Sequence, residues 1–305
     1  MLPYVLRRLL GAIPVLFGVA VVTFFLVRLS GDPADLILPP STPEEARAAF
    51  RAQHGLDRPL LEQLLLWLSH LARGEFGESI RFGQPAGELV MERAGATAEL
   101  ALATLVLALA IGIPAGVFSA RARGSTGDGV IRFLTLLGQA VPSFYLGVLG
   151  IAVFAVWLRL VPSGGRGEFV QLVLPATTLA VHFFALIARV TRGCMLDVLG
   201  QDYIRTARAK GMPERLVVWD HGLRNAMLPV VTVVGLQTGF LLGGVVVTET
   251  VFSWPGVGRL AIQAIYARDF PVVQAVVVVF ALIFVLVNLI VDLLYAVLDP
   301  RIRLR

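Results

Sequence analysis

Four histidines, one cysteine and one lysine are all that this chain of 305 residues offers to the commonest enzyme chemistries. His54, His70, His182 and His221 are scattered and form no His-Glu-x-x-His pair for a metal. Cys194 stands alone, which excludes an internal disulfide and a cysteine-based metal site. A phosphate-binding loop needs Gly-Lys followed by Ser or Thr, whereas Lys210 is followed by Gly211. The sequence therefore predicts no metal site, no bound cofactor and no ATP hydrolysis by the usual route. Hydrogen bonding and charge pairing remain. Gln139, Ser143, Tyr145, His182, Gln237, Thr238 and Glu249 are polar side chains set inside or at the edge of apolar runs. From Asp202 to Pro229, eight of 28 residues are charged.

Apolar segments must position both groups. The chain is 57% hydrophobic and 15% charged, against about 25% charge in a soluble domain. Its mean hydropathy is +0.80. A membrane-crossing helix needs about 20 mainly apolar residues, and six windows meet that length: 9–27, 100–120, 133–158, 169–188, 225–248 and 270–291. As helices, they satisfy their own backbone groups in lipid. Arg7-Arg8 ahead of the first window also suits a signal peptide, but no small-x-small site closes the run. The expected fold is an all-α integral membrane protein with six transmembrane helices.

Basic residues set the orientation. With the N-terminus inside, the cytoplasmic segments hold 15 of the 26 Lys and Arg, and the two short outer loops hold four. Short-loop bias of this kind predicts N-in and C-in, with Asp202–Pro229 in the cytoplasm. In so apolar a chain, the net charge of +5 marks loops and not a nucleic-acid partner. The organisation read from this is a first span within 1–29, an extracytoplasmic segment 30–97, a membrane core 98–298 with a cytoplasmic loop 189–225, and a tail 299–305.

The outer segment carries six basic and ten acidic residues. Thr42, Pro43 and Glu45 have the spacing of a helix start, and Gly55 of its stop. A second helix is expected from about Pro59 to Leu71, with a broad leucine face around Trp67. Such a segment can lie on the membrane, dock a partner or cap its own spans.

In the charged stretch, Tyr203–Lys210 suits a helix, Gly211 its left-handed end, and Pro213 the first turn of a second helix. Leu216, Val217, Val218 and Leu223 would form an apolar face, and Arg205, Arg208, Lys210 and Arg215 a polar one. Two short helices with a glycine bend can dock a soluble partner or transmit force; a positive-inside loop without a partner is the plainer alternative. Within the spans, Gln139, Ser143, Tyr145, His182, Gln237 and Thr238 are candidates for a solute path, although polar residues also join helices. His182 suits a helix–helix hydrogen bond as well as a cavity. Glu249 suits an outer gate, a contact to a peptide amine, or helix pairing. Asn288 and Asp292, four apart, suit helix pairing.

Ala207-Arg208-Ala209-Lys210-Gly211 and His221-Gly222-Leu223-Arg224-Asn225-Ala226-Met227-Leu228-Pro229 resemble the cytoplasmic coupling loop of ATP-binding-cassette importer permeases, above all the dipeptide/oligopeptide family. Many importer permeases open this motif with an acidic residue, and this chain has Arg205 and Thr206 there. The resemblance runs along the chain: Tyr4 with Arg7-Arg8 and Pro14, Gly31-Asp32-Pro33, Gly55-Leu56-Asp57, Gly74-Glu75-Phe76-Gly77, Glu249-Thr250-Val251-Phe252, Pro255 to Leu260, Arg268-Asp269-Phe270-Pro271, Asn288, Asp292 and Asp299-Pro300-Arg301. His221–Pro229 and Glu249–Leu260 look most like permeases for dipeptides or glutathione.

The resemblance implies a type I ABC importer permease fold, non-catalytic by itself, in a bacterial or archaeal cytoplasmic membrane. It implies a second permease subunit, two cytoplasmic ATPase subunits that hold ATP and Mg, and an extracytoplasmic binding protein that largely sets the cargo. Tyr203, Arg205, Ala207, Arg208, Ala209, Lys210, Gly211, His221, Arg224, Asn225 and Pro229 would form the coupling surface. Gly211 would give the bend, Ala207 and Ala209 close approach to the ATPase, and Arg205, Arg208 and Lys210 pairs with its acids. Asn225 and Pro229 would set the start of the fifth span. Nickel chelates and other small solutes use similar permeases. An ion-coupled secondary transporter would be expected to show an internal repeat, and a membrane enzyme a nucleophile or metal cluster in its spans; neither signal is visible in the sequence.

Overall fold

The structure is a computed structural model that describes residues 2–29, 31, 34–35, 38–53 and 55–298 and, among them, all side chains but those at 2–4, 242 and 294–298. His54, Asp32-Pro33, Asp299-Pro300-Arg301 and the tail 299–305 lie outside the described residues. The regular structure described is helical, with one isolated bridge between Glu78 and Pro85. The helices are α1 Leu2–Leu29, α2 Glu44–Gln53, α3 Leu60–Leu71, α4 Ala86–Arg121, α5 Thr126–Ala140, α6 Ser143–Gly150, α7 Phe169–Leu199, α8 Asp202–Ala209, α9 Glu214–Leu216, α10 Arg224–Val251, α11 Val257–Ala267 and α12 Phe270–Leu298. Wide π turns extend α6 through Ile151–Trp157 and join α9 to α10 through Val217–Leu223.

Four helices are long and apolar enough to cross a membrane, and two bent pairs bring the number to six if each pair is one span. The first pair is α5 with α6 and its extension, bent by 102°. The bend falls at Val141-Pro142, where proline forces Val141 into extended backbone. The window 133–158 is thus a broken span and not a straight helix. The second bend, of 50°, lies between Leu241 and Gly243. The expected boundary at residue 97 falls inside α4, whose 36 residues extend about 54 Å, well beyond a hydrocarbon core of about 30 Å. α7 likewise continues past residue 188, through the first part of the expected loop, to Leu199.

The chain divides into two compact units. The first comprises residues 1–95 and 257–285. α2 starts at Glu44, one residue later than the spacing predicts, and ends before Gly55, which has a φ of +62°. α3 follows Pro59 as expected and lays Trp67 against Phe24 of α1, ring centroids 5.8 Å apart. The core of this unit packs Ala86, Leu89 and Val90 of α4 against Leu260, Ala264, Val272 and Val276. Buried Asp269 accepts hydrogen bonds from Ser79 Oγ and from the backbone N–H groups of Ile80 and Arg81. Gly77 lies against Pro271. The family-like segments 74–77 and 268–271 therefore meet in space.

The second unit comprises residues 96–256 and 286–305. Its core joins Leu100 and Ala108 of α4, Leu179, Phe183 and Ile187 of α7, and Leu241 and Val245 of α10. Close approach uses small residues. A Cβ on Gly116 would lie 2.6 Å from the Ala188 carbonyl oxygen, and one on Gly112 2.9 Å from Ile187. Gly112 and Gly116 form a small-xxx-small face that lets α4 sit on α7.

Candidate functional site

Two features of the second unit gather most of the candidate residues: the 202–229 stretch and a groove between helices. In the stretch, α8 ends at Lys210 and Gly211 reverses the chain with a φ of +76°, as the sequence predicts. Ile204, Ala207 and Val217 then pack into a small buried cluster supported by Leu199 and Met212. Ala207 thus faces inward. Its small side chain packs within the loop itself, whereas Ala209 is exposed. Leu216 is placed differently from expectation. It is 47% exposed and, with Tyr203 and Trp219, forms the outward apolar surface, while Val217 and Val218 are buried.

The loop pairs much of its own charge. Arg208 donates to both oxygens of Glu214 at 3.2 and 2.9 Å, and Arg205 pairs with Asp202 at 3.3 Å. The Arg208 hydrogen bonds hold the Glu214 carboxyl below its ordinary pKa against the opposing effect of burial, with smaller help from the charges of Arg208 and Arg121. Lys210, Arg215 and Arg224 are exposed. Asn225 Nδ2 donates to Tyr203 Oη at 3.0 Å and to the His221 carbonyl at 2.9 Å, which ties α8 to the start of α10. Pro229 lies in the second turn of α10. Met195, Val218 and Ala226 pack with Val117 and Ala120, so α4, α7 and α10 all grip the loop.

Beside this junction lies a buried ion pair. Arg192 of α7 donates to Asp128 of α5 through Nε at 2.8 Å and Nη2 at 2.9 Å. Ser119 of α4 donates to the same carboxylate at 2.6 Å and the Gly124 N–H at 3.1 Å. Asp128 is 2% exposed. In the sequence, Arg192 reads only as one of the cytoplasmic charges. Ser125-Thr-Gly-Asp128 does carry a capping spacing, and the Asp128 N–H donates to Ser125 Oγ.

The groove has a volume of about 650 Å³ and is lined by Gln139, Ser143, His182 and Gln237 among apolar neighbours such as Phe183 and Phe240. The break at Pro142 opens it: it turns the chain and leaves Gln139 and Ser143 facing α7 and α10. Four of the seven path candidates thus converge. Thr238 does not line it, and its hydroxyl donates to the Val234 carbonyl of its own helix. Tyr145 is exposed elsewhere, and Glu249 is fully buried. Glu249 accepts from Thr97 Oγ1 at 2.6 Å and fills the space where a Cβ on Gly256 would collide, an arrangement that fits the helix-pairing alternative. Nearby Trp254 donates to the Ala96 carbonyl at 2.8 Å. Among the described residues, no His, Cys, Asp and Glu group has the form of a metal site.

Apolar helices of membrane-crossing length, a groove between them and a packed charged loop fit a membrane permease subunit. The chain belongs to the family of binding-protein-dependent transport system inner membrane components: residues 112–304 match its main domain and residues 1–86 its N-terminal domain. It is 45% identical, over 99% of both chains, to the glutathione transport system permease protein GsiC of Escherichia coli K12, and equally to that of Salmonella typhi. In fold it resembles the inward-facing MetNI methionine ABC transporter, with a TM-score of 0.59 and 20% identity over 69% of this chain and 96% of that one. It is a non-catalytic permease subunit of an ABC importer, a family that works with ATPase and binding-protein partners.

Proposed function

We propose that this chain forms half of the path of an importer that brings small peptides, glutathione among them, across a bacterial cytoplasmic membrane. Identity of 45% along the whole length of a glutathione permease carries this reading. The second half of the path comes from a homologous permease. Two cytoplasmic ATPase subunits bind ATP and Mg and dock on the 202–229 loop, and an extracytoplasmic binding protein delivers the peptide. N-in and C-in topology, supported by the arginine bias, puts that loop in the cytoplasm.

The loop is built to work as a lever. Its buried cluster, the Tyr203–Asn225 tie and the packing of Val218 and Ala226 allow little slack between a push on α8 and the ends of α4, α7 and α10. Gln139, Ser143, His182 and Gln237 offer hydrogen bonds to a passing peptide, and the aromatic rings beside them give it an apolar wall. The test is purification of the tagged chain from mild detergent with identification of its partners, then ATPase and uptake assays in proteoliposomes. A second permease, ATPases and ATP-dependent uptake of glutathione are expected. Uptake by the chain alone, driven by an ion gradient without ATP, would overturn the proposal.

A further inference from the structure

A second cavity, of about 370 Å³, lies further along the same two helices and is lined by Ser119, Arg132, Thr135, Arg189 and Arg192 among others. Arg132 lies seven residues before Gln139 on α5, and Arg189 seven after His182 on α7. Seven residues are nearly two turns, so each pair shares a helix face about 10 Å apart. Contact between α5 and α7 is made by other positions, where Gly138 meets Val181 and Ala185. Gln139 and Arg132 flank that contact line on α5, and His182 and Arg189 flank it on α7. The two cavities therefore lie about two turns apart along the same two helices.

Their chemistry differs. The first offers neutral hydrogen-bonding groups. The second offers cations: Arg192 is neutralised by Asp128, but no hydrogen bond or ion pair joins the guanidinium of Arg132 or Arg189 to another described residue. Both are exposed to the cavity. Two arginines without a counter-ion among the described residues, at the mouth of a cavity also lined by Ser119 and Thr135, attract an anion, and their planar forks match a carboxylate in two-point geometry.

We propose that Arg132 and Arg189 form a carboxylate-binding station on the cytoplasmic side of the first cavity, which takes the carboxylate of the transported peptide and gives this permease a preference for anionic cargo. The assignment rests on the peptide-import reading above. A free carboxylate is favoured over a phospholipid headgroup because Arg132 and Arg189 share the helix faces of Gln139 and His182, which line the first cavity.

The test is equilibrium binding of labelled glutathione, and of glutathione with both carboxylates converted to carboxamides, to the assembled importer in nanodiscs without ATP or binding protein. The wild type is expected to bind the dicarboxylate at least about tenfold more tightly. R132Q/R189Q should remove that preference, and R132K/R189K, which keeps the charge but not the fork, should keep only part of it while co-purifying with the same partners. Equal binding of both forms by the wild type, or a preference that survives in R132Q/R189Q, would show that the arginines serve orientation alone. Preference in zwitterionic nanodiscs that vanishes with 30 mol% phosphatidylglycerol would assign the site to a lipid headgroup and overturn the proposal. ATP-driven uptake by the wild type is measured in parallel: failure to import any small peptide refutes the peptide reading, whereas import without carboxylate preference refutes only this station.

Discussion

Asp128 and Arg192 give the most quantitative test of how the cytoplasmic end is held. The carboxylate is 2% exposed and accepts from Arg192 twice, from Ser119 and from Gly124. Arg192→Ala leaves a charge in a site that water reaches poorly. Breaking a buried pair from one side costs about 3–5 kcal/mol, and two remaining donors place this case near the lower end, at about 3 kcal/mol. Asp128→Ala should cost less, about 2 kcal/mol, because the Arg192 side chain is 21% exposed and can recruit water. Once either partner is gone, the other contributes little, so Asp128→Ala/Arg192→Ala should fall short of the sum by about 2 kcal/mol, within the range for groups of one network. Equilibrium unfolding in mixed SDS micelles, followed by tryptophan fluorescence, measures the cycle. Additivity within about 0.5 kcal/mol would refute the claim that this pair ties α4, α5 and α7 together.

Gly116→Leu should destabilise assembly far more than Gly95→Leu, because a Cβ at 116 meets α7 backbone at 2.6 Å whereas one at 95 meets nothing within 4 Å; yield of the detergent-purified chain and its melting temperature report the difference. Gly211 also has open space around it, so its requirement is conformational: at a φ of +76°, Ala should cost about 1 kcal/mol and β-branched Val more. We expect Gly211→Val to lower the ratio of uptake to ATP hydrolysis and Gly211→Ala to preserve most of it; normal coupling in the Val variant would refute the bend's role. Glu214 has a lowered pKa, so its pairing with Arg208 is present above the ordinary carboxylate range and is lost as pH falls through the lowered value. The stability difference between wild type and Glu214→Gln should therefore hold from pH 8 to about 5 and shrink below about 4; a difference that grows in acid would contradict the sign.

Much of the fold was legible because membrane burial leaves a coarse signal. The six windows, the Gly55 and Gly211 stops and the Pro59 start follow from local rules of length, left-handed backbone and capping. The rest depends on which face of a helix meets another. Ala207 and Ala209 look alike in sequence, and only the packing of Val217 assigns one inward and the other outward. Glu249 reads as an ionisable residue at a span's edge, and its burial depends on Thr97, 152 positions away, and on the absence of a side chain at Gly256. Asp128 is not legible in the sequence, because an acid in the first turn of a helix near arginines resembles ordinary surface charge. His182 and Gln139 could be chosen as polar residues in apolar runs, but their convergence required the bend at Pro142.

If an ATPase docks on this loop, as proposed above, the loop's internal pairing changes what can recognise it there. Arg205 and Arg208 already have acidic partners on their own chain, and a docking acid gains only by displacing Asp202 or Glu214, an exchange between exposed pairs worth little. Tyr203, Leu216 and Trp219 instead present apolar surface that water leaves on contact. Removing that area on docking stabilises the contact by about 25 cal/mol per Å², whereas the arginine pairs fix the shape of the loop that presents it. Charge at this surface should therefore govern the loop's form, and the aromatic and leucine side chains the strength of docking. Trp219→Ala should weaken co-purification of the ATPase more than Arg205→Ala, and the reverse order would return the main role to charge.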